Sequence, residues 1–346
     1  MLLWRHPLRW PLLLVMLTAG GGWLISDERA MASGFMARLA LGLLAFHAVL
    51  WFAGDASRLR PTLWIFTLIL VGLAAAALVG TRWPIAKFLP LNAIYHRLPT
   101  LLVDTLHPNV AAAALVLLLP IPGALFLDGR RQTRPRGLAL AVMGLTLVIL
   151  FLTQSRAAWL ALAGMAMPVA WRAARRPWQR WLLILLIAAA AGLLLWLARR
   201  ALAADWLDRQ MVWAQGLAML QDFGLTGIGP GSFGALGPQL YADFWMGDLG
   251  FVAPHAHNLF LQVGVDLGIA GLIAYLALLL TAAASAWSAW RHNPALLARL
   301  TAGAALLSLL ALVLDGLLDV GVWGTQGGFV AWIVLGLAAS LGNIRS

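Results

Sequence analysis

Long apolar runs dominate this chain and decide what it can fold into. The hydrocarbon core of a membrane is about 30 Å thick, a distance that about 20 helical residues cross. Ten segments fit that description, at approximately 10–25, 35–53, 62–80, 109–127, 137–153, 157–171, 181–198, 258–282, 297–314 and 323–341. Hydrophobic residues make up 62% of the 346 and charged residues only 11%. A soluble core of this size could not hide so much apolar surface, so lipid must cover the rest. The expectation is an all-α, polytopic transmembrane protein of about ten spans. The chain contains no cysteine, which excludes disulfides, thiolate metal sites and a cysteine nucleophile. Its first 25 residues place Arg5 and Arg9 before an apolar stretch, as a signal peptide does, but no small-residue cleavage site follows; they read as an uncleaved first helix.

The formal charge of +11 would suggest nucleic acid only if the arginines shared one continuous face. They sit instead in short clusters between apolar runs, as cytoplasmic loops do. With both termini cytoplasmic, that side receives Arg5, Arg9, Arg58, Arg60, Arg130, Arg131, Arg134, Arg136, Arg172, Arg175, Arg176, Arg180, Arg291, Arg299 and Arg345, which is 15 of the 24 basic residues, and only Asp55 and Asp128 of the 13 acids. Removing any one span would put successive clusters on opposite sides. The chain then divides into helices 1–7 over 1–198, a long non-cytoplasmic loop over 199–257, and helices 8–10 over 258–346. A shorter non-cytoplasmic loop runs from Thr81 to His107.

Within the long loop, Trp206, Met211, Val212, Trp213, Leu217 and Leu220 recur at near-helical spacing behind Asp205. They predict an amphipathic helix lying at the membrane surface and ending before Gly224. Gly227, Gly229, Pro230, Gly231 and Gly234 then impose a tight turn. No lysine follows these glycines, which argues against a phosphate-binding P-loop.

Three polar features could carry chemistry. His255-Ala256-His257-Asn258 stands where the loop re-enters the membrane. A His-X-His pair can ligate zinc, but a catalytic zinc needs a third protein ligand, and no nearby acid has the familiar spacing. The alternatives are a general base or substrate contact, since histidine titrates near neutrality, and an interfacial polar cap. Arg209 and Trp213, four residues apart, share a helical face; the competing reading is an arginine snorkelling to lipid phosphates. Arg156, in Ser155-Arg156-Ala157-Ala158-Trp159, lies at the edge of the hydrocarbon, where an unpaired arginine is costly and a bound anion or a phospholipid head group relieves the cost.

Together these stretches resemble the O-antigen ligase and polymerase superfamily of bacterial envelope glycosyltransferases. The resemblance rests on His107-Pro108-Asn109 before an alanine-rich span, Ser155-Arg156 with Trp159, Arg209-x-x-x-Trp213, Thr226-Gly227-Ile228-Gly229-Pro230-Gly231-Ser232-Phe233, and His257-Asn258 leading to Leu267-Gly268-Ile269-Ala270-Gly271. It covers about residues 105 to 275. It implies a GT-C-like helical fold with short helices in one long periplasmic loop, in the bacterial inner membrane. It further implies a metal-independent, inverting transferase without cofactor that moves a glycan from a polyprenyl (undecaprenyl) diphosphate to an acceptor hydroxyl on the periplasmic side. Arg209 and Arg156 would then bind the diphosphate and His257 would serve the acceptor, with Asn258, His255, Trp213 and Asn109 contacting substrate. Partners would be the lipid-linked donor, a glycan or lipid A core as acceptor, membrane lipids and, for a polymerase, a chain-length regulator. Ligase and polymerase stay undistinguished. Relatives commonly have about two more spans, so the extent of a lipid-carrier groove is open. The rival function is a lipid-linked glycan flippase or other transporter, which also needs many spans and buried arginines. A third is a non-catalytic membrane subunit whose loop docks a partner enzyme.

Overall fold

A computed structural model describes residues 6–83, 89, 91–99, 101, 106–128, 133–241, 244 and 253–344, with backbone alone at 133–134, 190–207 and 343. Parts of the long loop (242–243 and 245–252) and Arg5, Arg130, Arg131 and Arg345 of the charge pattern lie outside the described residues. The elements are α1 (Arg9–Ile25), α2 (Arg29–Phe52), α3 (Leu59–Gly80), α4 (Asn92–Tyr95), α5 (Pro108–Leu118), α6 (Pro120–Asp128), α7 (Thr133–Thr153), α8 (Arg156–Ala173), α9 (Pro177–Asp222), α10 (Phe233–Leu240), α11 (Leu259–His292), α12 (Leu296–Gly316) and α13 (Phe329–Ser340). Among the described residues there is no β-strand, only an isolated bridge between Thr81 and Leu106.

The first nine apolar segments fall on helix, whereas the tenth is turn over 323–328 and helical only from Phe329. Among the described residues six stretches are long and apolar enough to cross a membrane: Arg29–Phe52, Ala56–Gly80, Pro108–Asp128, Pro135–Thr153, Leu259–His292 and Leu296–Gly316. Arg9–Ile25, Pro177–Ala189 and Phe329–Ser340 are apolar but shorter. The fourth apolar run is two helices, α5 and α6, because Pro120 removes a backbone donor and collides with the preceding turn.

The amphipathic stretch behind Asp205 does not form a separate surface helix. It continues the preceding apolar segment as α9, a single helix of 46 residues. The reason is local: no glycine or proline occurs from Leu193 to Gln215, and a potential N-cap such as Asp205 cannot end a helix that nothing interrupts. At 1.5 Å per residue α9 is about 69 Å long, roughly twice the hydrocarbon thickness. Its C-terminal end, before Gly224, falls where the sequence places it.

Close helix packing is built on small residues, as expected where lipid offers no hydrophobic drive for association. A Cβ on Gly42 of α2 would lie 2.2 Å from the Trp332 ring of α13, and one on Gly336 of α13 would lie 2.7 Å from the Phe46 carbonyl of α2. α12 is the central post, packing on α11, α8, α6, α13 and α5.

Polar contacts sort the helix ends into two groups. At one end Arg60 pairs with Asp128, His6 meets the Ala339 carbonyl, Asn293 bonds Ile344, and Arg172 lies over Trp290. At the other end Ser26 meets Ser232, Asn109 meets Asp319, and Asn258 meets Leu317. The described beginning and end of the chain therefore share one end of the bundle.

Replacing Gly42 with valine is expected to destabilise the protein by about 1–3 kcal/mol, the usual cost of overpacking. Gly20→Ala, where a Cβ meets nothing within 4 Å, should be neutral or stabilise by about 0.5–1 kcal/mol. Thermal unfolding of the detergent-solubilised protein separates the two; equal melting temperatures for both variants would contradict the packing described.

Candidate active site

The long loop carries its own small core. Val212 and Met219 of α9, Ile228 of the glycine turn, Phe233 and Leu236 of α10, Ala256 and Val265 are buried together. This core clamps the glycine turn against α11. There α11 is broken at Gly268, whose φ of 75° and ψ of 178° are not helical. The loop fills the break: the Ile269 amide donates to the Gly224 carbonyl at 2.8 Å and the Ile228 amide donates to the Val265 carbonyl at 2.9 Å. Gly227, at φ 70°, approaches so closely that a Cβ would lie 2.4 Å from the Asp266 carbonyl oxygen. Glycine is required on both sides of this contact, because each has a left-handed φ and a neighbour where a side chain would stand.

Upstream of α11 the chain delivers the histidines. Asn258 caps the helix, its Oδ1 accepting from the Leu261 amide at 3.0 Å, while its Nδ2 donates to the Leu317 carbonyl at 3.1 Å. His257, immediately before the cap, has a φ of 49°. Among the described residues only Gln154, at φ 48°, is another non-glycine with positive φ. Gln154 precedes Ser155, the cap of α8, whose first residue is Arg156. Both motif segments thus enter their helices through the same uncommon conformation, which tends to persist where surrounding structure enforces it.

The turn after α12 gathers the site. Asp319, only 5% exposed, accepts from Asn109 Nδ2 at 2.6 Å and from the Val320 amide at 2.8 Å. Its Oδ1 lies 3.9 Å from His255 Nε2 and 3.8 Å from His257 Nδ1. These distances are too long for hydrogen bonds, and His257 Nδ1 is buried with no hydrogen-bond partner among the described residues. The two imidazole rings are 4.3 Å apart, and the His257 amide donates to His255 Nδ1 at 3.2 Å. Arg209 of α9 donates to the Leu318 carbonyl in the same turn. Trp213, one helical turn on, is half-buried.

Arg156 reaches this end of the bundle from another direction. Gly164 of α8 faces Leu314 of α12, whereas Arg172 lies over Trp290, whose ring lies against Gly303. The two helices are therefore antiparallel, and Arg156 at the start of α8 lies at the end where α12 turns into Asp319. Above it, Gln154 Oε1 accepts from the Leu89 amide at 2.9 Å and its Nε2 donates to the Tyr95 hydroxyl at 2.6 Å. The loop between α3 and α5 is docked on the Arg156 segment by these bonds.

Burial lowers the His255 pKa to about 4; the charges of His257, His107 and Arg209 act in the same direction and Asp319 opposes them. Burial alone would raise the Asp319 carboxyl, but its contact with His257, the charges of both histidines and the Val320 amide hold it well below the usual carboxylate range. The cluster therefore combines a neutral imidazole, an ionised carboxylate and a nearby guanidinium.

The sequence reading missed Asp319, and with it the link between the histidines and the far end of the chain. The available signal was an acid four residues after Asp315 at the end of an apolar helix, in a chain with only 13 acids. Asp319 also supplies the third potential metal ligand that the His-X-His pair lacked: one ligand atom from each of His255, His257 and Asp319 lies within 4.8 Å of the others. Asn109, expected near substrate, donates to Asp319.

Comparison with known proteins bears on this same region. Residues 139–276 match a family model described as O-Antigen ligase. The matched stretch takes in most of α7, α8, α9, the glycine turn, α10, the histidines and the break in α11. No curated protein matches the chain.

Stability should fall on acidification in a defined window. Between about pH 4, the folded value for His255, and about 6.5, its ordinary value, the unfolded chain binds more protons, so stability rises with pH. Asp319, depressed in the fold, stabilises above the ordinary carboxylate value and loses that contribution as pH falls further. Melting temperatures from pH 7.5 to 4 should decline, and His255→Gln should flatten the slope between about pH 6.5 and 4. An unchanged slope in that variant would remove His255 as the cause.

Proposed function

We propose that this protein is a membrane glycosyltransferase of the O-antigen ligase or polymerase type. In this reading it has a GT-C-like scaffold in a bacterial inner membrane and takes a glycan from polyprenyl diphosphate on the periplasmic side. It transfers that glycan to an acceptor hydroxyl with inversion and without a metal. The observation that carries the proposal is the convergence of His257, His255, Asn258 and Arg209 on the single turn Leu317–Asp319, inside a chain whose residues 139–276 match the O-Antigen ligase family.

The chemistry follows from these groups. A diphosphate is a good leaving group, so the principal need is cations that stabilise charge as the glycosidic bond breaks. Arg209 and Arg156 provide permanent charge and a fork of donors suited to phosphate oxygens. The buried Asp319 carboxylate faces His257 Nδ1, which favours the proton on that nitrogen and leaves Nε2 as the base. The acceptor hydroxyl gives its proton to His257 Nε2 while its oxygen bonds the anomeric carbon. The bond from that carbon to the diphosphate breaks, and its electron pair leaves on the diphosphate oxygen. Attack opposite the leaving group inverts the centre.

A transporter reading has one observation in its favour: α11 is broken inside its apolar run next to a carboxylate, Asp266, and broken helices mark many transporter sites. That carboxylate, however, already accepts from Gln262, Trp323 and the Gly231 amide, which is the pattern of a structural anchor.

With labelled polyprenyl-linked oligosaccharide in membranes, His257→Ala should lower kcat about 10²–10⁴-fold and Arg209→Ala about 10²–10³-fold. Arg209→Lys should recover little, since a lysine cannot make the paired contact. Transfer should survive exhaustive chelation; loss restored by zinc would instead make His255, His257 and Asp319 a metal site. Product on lipid A core identifies a ligase, and a ladder on the carrier a polymerase. Substrate movement across vesicles without any new glycosidic bond would establish the transporter.

Asp319→Asn keeps the Asn109 contact in shape but withdraws the charge facing both histidines. It should lower kcat at least tenfold and also lower the melting temperature at pH 7.5, where the ionised carboxylate stabilises the fold. A variant as active as the parent would show that the carboxylate has no part in turnover.

A further inference from the structure

A cavity of about 470 Å³ adjoins His255. Its outer wall is one face of α2, where Ala30, Gly34 and Arg38 follow each other at intervals of four. His255 lies on its wall, and Asp266, Gln262 and Trp323 line it as well. Arg38 stands nine residues into α2, about 13 Å along the helix, and Asp266 seven residues into α11, about 10 Å along it. The cavity thus carries polar groups well into the apolar length of both helices, where they are costly unless they serve a purpose.

These groups are arranged as a recognition surface. Asp266 Oδ1 accepts from Gln262 Nε2 at 2.9 Å and the Gly231 amide at 3.2 Å, and Oδ2 accepts from Trp323 Nε1 at 2.8 Å. A carboxylate has about four lone-pair positions, so one acceptor position on Oδ2 is left. Trp323 is fixed by that bond and by edge contacts to Phe35 at 5.3 Å and Tyr275 at 5.2 Å. Arg38 is exposed and has no ion pair or hydrogen bond among the described residues. A fixed indole, an open carboxylate position and a free guanidinium around one space suit a polyol, which offers hydroxyls as both donors and acceptors and an apolar ring face.

The position of the cavity selects which substrate this is. α9, with Arg209, packs on α11 and α8, the helix that Arg156 begins; α2 packs on α13 and α1. Of the residues named for the reaction, His255 lines the cavity, whereas His257, Arg209 and Arg156 do not. In-line displacement requires the nucleophile opposite the leaving group, so a diphosphate on the arginine side leaves the cavity side to the attacking sugar.

We propose that the cavity between α2, Asp266 and Trp323 binds the terminal sugar of the acceptor glycan, with Arg38 hydrogen-bonding its hydroxyls. This rests on the transferase reading above. The test uses the full chain in nanodiscs and two probes, a deacylated and dephosphorylated lipopolysaccharide core oligosaccharide and methylenediphosphonate, followed by tryptophan fluorescence. Arg38→Ala, and independently Gly34→Leu, which projects a side chain into the cavity, should weaken oligosaccharide binding at least tenfold and leave diphosphonate binding unchanged; Arg209→Ala should do the reverse. In turnover, both cavity variants should raise the KM for acceptor and not for donor. Absent or unaltered oligosaccharide binding, or loss of diphosphonate binding in Arg38→Ala, overturns the proposal and in the last case assigns the cavity to the donor head group. Cavity-dependent oligosaccharide binding by a wild-type chain that transfers nothing would sustain the sugar site and overturn the transferase reading.

Discussion

The buried carboxylate of Asp319 is the constraint on which the site depends. An ionised group beyond the last turn of an apolar helix is expensive to bury unless donors and cations surround it. Here the donors come from Asn109 at the start of α5 and from the Val320 amide, and the imidazoles come from the segment before α11. Satisfying one carboxylate therefore draws together segments from three distant parts of the chain. The neighbouring carbonyls of Leu317 and Leu318, which the end of a helix leaves without partners, take Asn258 and Arg209. One helix terminus thus positions both the proposed base and a proposed phosphate-binding cation.

The same accounting explains the glycine turn. In hydrocarbon every backbone group needs a partner, and irregular backbone survives only where protein surrounds it. The break in α11 at Gly268 frees groups that the turn at 224–228 re-satisfies. The loop is consequently fixed to the helix bundle rather than resting on it. Gly231 extends the attachment to Asp266, which in turn holds Trp323. Motif residues that look like a flexible hinge in the sequence act as a splice between loop and bundle.

Helices were legible because the apolar runs are long and some breakers are clear, as at Gly224, although the split at Pro120 inside the fourth run is not marked by any change of hydropathy. The pairing of helix ends was legible too, since arginine clusters such as Arg60 and Arg172 mark them. What stayed hidden was of two kinds. The fusion of loop helix and span into α9 depends on the absence of any breaker from Leu193 to Gln215, and a rise in polarity alone does not end a helix. Asp319 was hidden because its importance lies in partners remote in sequence, and no local spacing announces a carboxylate that meets Asn109, His255 and His257 only in the fold. Arg209 and His257 were found through motifs, whereas their meeting place could come only from the structure.

The division of charge across the histidines gives the site a direction. On one side the guanidinium of Arg209 lies close enough to His255 to favour its neutral form, so that side suits an anion and disfavours a proton. On the other side Asp266 already accepts three hydrogen bonds and keeps one acceptor position, and Arg38 has no partner among the described residues. A symmetric arrangement of cations would hold a diphosphate equally well on either face and would not separate donor from acceptor. In the proposed transferase reading, Arg209 and Arg156 hold the diphosphate on the α8 and α9 side and Arg38 meets sugar hydroxyls on the α2 side, so a displacement that needs opposite approach of nucleophile and leaving group has one productive orientation.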